Sequence, residues 1–299
     1  MTEQKLLDEN FIQSLQDNLW VDPATRSTIE SAGVSITPCN FYSSTPSLAD
    51  IEASFEYSEA APYLLEKIFE TKKLDVLLED LSQYSSEFSP AYDGDEVHCE
   101  NYFRNNSQFN FCDAMAYFAF IRHYKPKNII EIGSGFSSLV ALEALHKNGV
   151  GSLTCIEPYP RAFLENRKDL CLKKIRAQDV IADDLNGILN DGDILFIDST
   201  HTVKTGSDCL HIYLRLLPKI KKNIYVHVHD VFLPFGMPKK WLIDHHIYWV
   251  EQYLLLAFLI DNPKQSVLFG SAYHHAFNPK LLERFTCGIS PGGGGQFLV

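Results

Sequence analysis

The chain has 299 residues, 45% of them hydrophobic, with 26 basic against 38 acidic side chains and a formal net charge of −12. That apolar content supports one substantial core plus an accessory region, and it excludes compositional disorder. The acid surplus would repel a phosphate backbone, and "KIKKN" (Lys219 to Asn223) is the only local basic run, so a nucleic-acid partner is excluded while a neutral or cationic small molecule is not.

No apolar run approaches the roughly 20 residues a membrane-spanning helix needs. "YLLLAFLI" (Tyr253 to Ile260) is closed by Asp261 and Pro263. The start, "MTEQKLLDEN", lacks the basic-then-apolar order of a secretory signal, which makes cytoplasmic residence the expectation. The seven cysteines, Cys39, Cys99, Cys112, Cys155, Cys171, Cys209 and Cys287, are odd in number and never spaced C-x-x-C. They read as buried small hydrophobes, not as a disulfide framework or a zinc site.

In chain order, residues 1–110 show helical apolar spacing in "LLDENFIQSLQDNLW" and "APYLLEKIFETKKLDVLLEDL", and no strand alternation of any length. This predicts an N-terminal helical region closing on an ordered surface loop or lid, "SPAYDGDEVHCENYFRNNSQFN". From residue 111 strands and helices alternate. A helix, "FCDAMAYFAFIRHYKPK", leads to strand "NIIEIGSG"; a helix from Ser137 to Lys147 leads to "SLTCIE"; a helix from about Pro160 to Leu172 leads to a weaker strand "KIRAQDV". Strand "DILFID" to Asp198, a helix to Leu217 and strand "NIYVHVHD" to Asp230 follow. The beat implies an α/β fold with a doubly wound, mainly parallel sheet covered on both faces. After the helix "YWVEQYLLLAFLI", the segments "SVLFGSAY" and "GGGGQFLV" are placed to form an antiparallel pair at the sheet edge.

Ligands of open α/β sheets sit beyond the carboxyl ends of the strands, and the turn Gly133-Ser134-Gly135 lies at such a place. Glycine there accommodates positive φ and lets a ligand reach the backbone. Ser137 or Ser138 is placed to cap the next helix, and Glu157, ending the next strand, can accept hydrogen bonds from a ribose diol. A dinucleotide site is the competing reading of "GSGFSS", but the third glycine of G-x-G-x-x-G is missing. Glu131, two residues before Gly133, would also repel a pyrophosphate and attract a cation.

Those residues resemble the class I S-adenosylmethionine-dependent methyltransferases, whose first motif is an apolar strand with an acid followed by G-x-G. "IRHYKPKNIIEIGSGFSSLVALEAL", "LTCIEPYP", "GDILFIDSTHTVKTGSDCL" and "HVHDVFLPFGMPKKW" together are similar to a bacterial small-molecule branch that includes macrolide sugar O-methyltransferases. The resemblance runs from about residue 111 to residue 299 and implies a Rossmann-like, seven-stranded methyltransferase sheet with S-adenosylmethionine as cofactor. It implies that Glu131, Gly133, Ser134 and Gly135 meet the methionyl end, Glu157 the ribose, and Asp179 the adenine amino group, with Asp198 also at the cofactor.

The cofactor would supply an activated methyl group, leaving the protein to align the acceptor and remove its proton. Asp198 ends the fourth strand, His201 follows it in "DSTH", and His229 and Asp230 end the fifth. His201 reads as the general base, since histidine titrates near neutrality. The alternative is a divalent cation, Mg²⁺ by ligand type, on Asp198, His229 and Asp230, although histidine at the fifth strand departs from the carboxylates expected there. His227 reads as a packed core histidine on the face it shares with His229. Tyr102, Phe103, Phe232, Phe235, Trp241 and Tyr273, with His274 and His275 on a late loop, are candidates for the acceptor wall. "PGGGG" from Pro291 reads as a turn, with no Lys-Ser/Thr or helix after it to make a phosphate loop.

The expected function is methylation of a small molecule, at a hydroxyl of a sugar or other natural product. The rivals are a nicotinamide-dependent oxidoreductase and a non-catalytic binding or assembly protein on the same fold. A homo-oligomer is left open.

Overall fold

A computed structural model describes residues 8–289 and 295–299. The chain divides into two compact units, Met1–Ser54 and Phe55–Val299. The boundary expected at 110/111 thus falls at 54/55, and residues 55–110 belong to the same unit as the sheet. The first unit carries helices Glu9–Asp17, Pro23–Ser31 and Leu48–Ala53, each begun by a side-chain cap, from Asp8, Asp22 and Ser47.

The second unit is built on seven strands: β1 (Asn128–Ile132), β2 (Ser152–Ile156), β3 (Cys171–Lys173), β4 (Ile194–Ile197), β5 (Tyr225–Val228), β6 (Phe269–Gly270) and β7 (Phe297–Leu298). Their order is β3-β2-β1-β4-β5-β7-β6. The first five pair in parallel, while β7 runs antiparallel between β5 and β6. This is the Rossmann-like, doubly wound methyltransferase-type sheet, with the antiparallel pair at the predicted edge.

Strand alternation divides the core in two. Ile129, Ile194 and Phe196 face one cluster with helix Phe111–Tyr124 and helix Phe136–Asn148, whereas Ile130, Ile132, Leu195, Ile197 and Val228 face the other, against helix Glu251–Leu259. Apolar residues on both faces of β1 and β4 are the reason those strands read as continuous hydrophobic runs.

Three elements differ from expectation. The helix expected to reach Leu172 is a single turn, Ala162–Glu165, and β3 lies at 171–173, before the expected strand; Ala177–Asp179 is a 3-10 turn. His274 and His275 sit on helix Ser271–Phe277 rather than a loop. None of the seven cysteines is in a disulfide; Cys99, Cys112, Cys155 and Cys209 are buried as expected, but Cys39, Cys171 and Cys287 are exposed. The turn expected at Pro291–Gly294 lies outside the described residues. Among the described residues no helix is long and apolar enough to cross a membrane.

Candidate active site

The site begins where β1 and β4 end side by side. Gly133 has φ +89°, and a Cβ built on it would lie 1.7 Å from the Asp198 carbonyl oxygen, so only glycine lets the two strand tips approach. Asp198 donates its amide to the Ile132 carbonyl at 2.9 Å, and Gly133 donates to Ile156 at 3.0 Å. Gly135 is different: no atom lies within 4 Å of its Cβ position, so it faces open space. Gly133 serves the fold and Gly135 leaves room for a ligand. Glu157 stands across the turn, accepting from the Ser134 amide at 3.4 Å and the Tyr159 amide at 2.8 Å.

Glu131 does not reach the cavity wall, contrary to the expected contact with a methionyl group. It is fully buried, accepting from the Tyr117 hydroxyl at 3.1 Å and from Ser138 and Cys155 behind the turn. Burial raises its pKa to about 7, against the opposing hydrogen bonds from Ser138 and Tyr117. Ser138 accepts in turn from the Gly135 amide at 3.3 Å, so the capping role falls to Ser138 and not to Ser137. Asp179 is held in a fork by Arg176, both contacts 2.9 Å, on the exposed surface, and it does not line the cavity.

At the tips of β4 and β5 the chain gathers an acid and histidine cluster. His201 Nδ1 lies 2.7 Å from Glu251, and its Nε2 lies 3.2 Å from Asp198 and 3.6 Å from Asp230. His229 Nε2 lies 3.1 Å from Asp113, with Nδ1 3.3 Å from Asp198 and 3.5 Å from Asp230. Asp113 also accepts from its own N-cap, Asn110, and from the Gly295 amide. His201 and Asp230 both adopt positive φ, 56° and 53°, a conformation costly for non-glycine residues and concentrated at functional sites.

Electrostatics revise the role of His201. Burial alone would lower its pKa, but hydrogen bonds and charges from Asp198 and Glu251 raise it to about 10. His229 is raised well above its ordinary value by Asp230, Asp198 and Asp113, again against burial. The shift of His229 runs in the same direction as that of His201, and with its pKa near 10 His201 as found here is not a base titrating near neutrality. Burial pushes Asp198 up, but the two histidines outweigh it and hold the group well below the carboxylate range. For Asp230 burial wins, and its pKa is raised. His227 is the expected core residue: it is wholly buried among Tyr117, Phe120 and Phe196.

Asp198, His201 and Asp230 each offer one donor atom, all within 4.8 Å of one another. This set has His201 where the expected one had His229, whose Nδ1 also faces Asp198 and Asp230, at 3.3 and 3.5 Å. Such a set fits a divalent ion, and Glu251 holds the far nitrogen of His201 as carboxylates hold metal-bound imidazoles.

These groups open on a cavity of about 670 Å³ that also takes in Ser134, Glu157 and the loop 104–111. Trp249 lies 4.5 Å from the His201 ring and 5.6 Å from Trp241, and both tryptophans line the cavity. Of the aromatic candidates only Trp241 does so; Tyr102, Phe103 and Tyr273 are core, and Phe232 packs behind Trp241 at 5.2 Å. Sequence reasoning missed Asp113, Glu251, Trp249 and Arg104. The available signal was a lone acid inside each of two apolar helices, "FCDAMAYFAF" and "EQYLLLAFL".

The glycine turn and the strand tips bearing Asp198, His201, His229 and Asp230 sit within a recognisable stretch. Residues 130–231, from β1 to just past β5, match the family model described as a methyltransferase domain. An uncharacterized protein of Archaeoglobus fulgidus is 35% identical over 136 residues, covering 42% of this chain and 60% of that protein. The chain thus spans less than two thirds of that relative. Among solved structures, the plantazolicin methyltransferase BpumL in complex with SAH is 15% identical with a TM-score of 0.40, covering 77% of this chain and 96% of BpumL. A likeness of that strength says nothing about ligands.

Proposed function

We propose that this protein is an S-adenosylmethionine-dependent methyltransferase acting on a hydroxyl of a small molecule, a sugar or another ring-bearing natural product. One observation carries the reading: within the stretch similar to a methyltransferase domain, the β1 turn leaves open space at Gly135, and its Ser134 amide and Glu157 stand together on the cavity wall. The bound cofactor supplies an activated methyl group. Glu157 holds ribose hydroxyls, and the backbone amides after the turn face the cofactor. Trp241 and Trp249 offer ring faces to the acceptor, which supports a sugar or aromatic ring in the second half of the cavity.

The acceptor proton passes to Asp230. This carboxylate lines the cavity, and burial has raised its affinity for a proton. His201 and His229, already charged, hold Asp198 ionised beside it and offset the gathered negative charge. A second reading is favoured by the close donor atoms of Asp198, His201 and Asp230: these would hold a divalent cation that displaces the proton of His201 and acidifies the hydroxyl.

Thermal unfolding tests the first reading. S-adenosylmethionine or its demethylated product at about 100 times Kd adds about 2.7 kcal/mol, a shift of roughly 5 °C or more, while NAD and NADP leave Tm unchanged. A shift with NAD alone would establish the oxidoreductase instead. Calorimetric titration with Mn²⁺ decides the second: uptake at one site, lost in Asp230→Asn, supports the cation, and no uptake leaves the proton with Asp230.

A further inference from the structure

The cavity is lopsided in charge. Its walls present Asp113, Glu157, Asp198 and Asp230, with Glu251 behind His201, and the two histidines are already shared among these acids. Against them the described lining holds a single arginine or lysine, Arg104. Five of the other seven arginines are ion-paired: Arg26 with Glu30, Arg122 with Glu87, Arg161 with Glu96, Arg167 with Asp169 and Arg176 with Asp179. Arg104 has no ion pair among the described residues, and its Nε is buried without a hydrogen-bond partner. Its guanidinium is nonetheless held in place, 5.3 Å from the Tyr92 ring centroid and 6.0 Å from that of Phe111.

The loop that carries it is rigid. Asn106 accepts from the Phe109 amide and donates to the Phe103 and Phe109 carbonyls, and the buried Tyr102 hydroxyl donates to Phe109 at 2.8 Å. Phe103 packs edge-on against Phe136, the first residue of the helix after Gly135, at 5.6 Å. Arg104 is thereby tied to the same end of the site as the glycine turn.

We infer that Arg104 is the carboxylate receptor of the site and that it takes the α-carboxylate of the cofactor's amino-acid tail. The inference rests on the methyltransferase reading. A tail carboxylate entering this cavity is repelled by its four acidic walls, the two histidines are already engaged by those acids and Glu251, and an unpaired, pre-positioned guanidinium matches a carboxylate in a bidentate fork. Ring contacts alone would explain a planar side chain, but they leave the buried Nε–H without an acceptor, which a bound carboxylate supplies.

The test compares S-adenosylhomocysteine with 5′-methylthioadenosine, which shares the nucleoside and sulfur but lacks the amino-acid tail. Calorimetry is run on the wild type, Arg104→Gln and Arg104→Lys. Arg104→Gln is expected to weaken S-adenosylhomocysteine about 10- to 100-fold, the range for one hydrogen bond to a charged group, and to leave methylthioadenosine unchanged. Arg104→Lys, which keeps the charge but not the fork, falls between. Unchanged methylthioadenosine binding also reports that the variant is folded. Equal losses for both ligands, or S-adenosylhomocysteine binding as tightly to Arg104→Gln as to the wild type, would overturn the inference; the latter would send Arg104 to an anionic acceptor. A wild type that binds neither ligand refutes the methyltransferase reading itself, and this inference with it.

Discussion

Replacing Glu131 by Gln is expected to change how stability depends on pH, in a direction fixed by the burial of that carboxyl. Its pKa is raised from 4.5 to about 7, so between these values the native state holds a proton that the unfolded chain releases. The native state is thus unpenalised below pH 4.5 and progressively penalised as pH rises through 7. A shift of about 2.5 units at roughly 1.4 kcal/mol each amounts to about 3 kcal/mol, with no discount for solvent because the group is fully buried. Gln keeps an oxygen for the Tyr117 hydroxyl and nearly the same volume, but has nothing to ionise. Denaturant unfolding of both proteins at pH 5 and pH 8 is the assay, because every other titrating group cancels in the comparison. The variant should gain about 2.5 kcal/mol on the wild type between the two pH values, since a small part of the penalty is already present at pH 5. Parallel stability curves would show that Glu131 ionises freely and that its cage of Tyr117, Ser138 and Cys155 is not as closed as described.

The two glycines of the turn should fail in different ways. Gly133→Ala forces a Cβ onto the Asp198 carbonyl and should cost about 3 kcal/mol or more, read as a lowered Tm, whereas Gly135→Val should melt normally and lose the shift with S-adenosylhomocysteine. His201→Ala leaves Glu251 buried without its partner and should destabilise by about 3 kcal/mol or more; adding Glu251→Gln should restore part of that loss in a double-mutant cycle. His274 is buried and its pKa is lowered to about 4 by desolvation, so the unfolded chain takes up a proton below pH 6.5 that the native state refuses. Stability should therefore fall from pH 6.5 toward pH 4 by up to about 3 kcal/mol, and His274→Leu should flatten that limb in acid-range urea titrations.

The sheet was legible wherever strands are buried on both faces. β1, β4 and β5 lie in the middle of the sheet and announce themselves as near-continuous apolar runs, interrupted by Glu131 in β1 and His227 in β5. β3 is three residues long at an edge and only partly buried, so no such run marks it, and the apolar spacing before it passed for a long helix. Asp198, His201, His229 and Asp230 were legible because strand ends in such a sheet point at one place. What they do there was not. The charge on His201 depends on Glu251, 50 residues later, and that on His229 partly on Asp113, 116 residues earlier. Neither partner lies near a motif, and a pKa follows from company in space that spacing along a chain does not reveal.

The contact between Gly133 and the Asp198 carbonyl has a mechanical meaning. With no side chain to yield between them, the ligand turn and the loop bearing His201 move as a single block, and the distance across which a methyl group would travel is set by main chain rather than by adjustable rotamers. Trp241 and Trp249 stand on other segments, free to be exchanged without disturbing that block. Redesign of this site for a new acceptor should therefore alter those walls and leave the strand tips untouched.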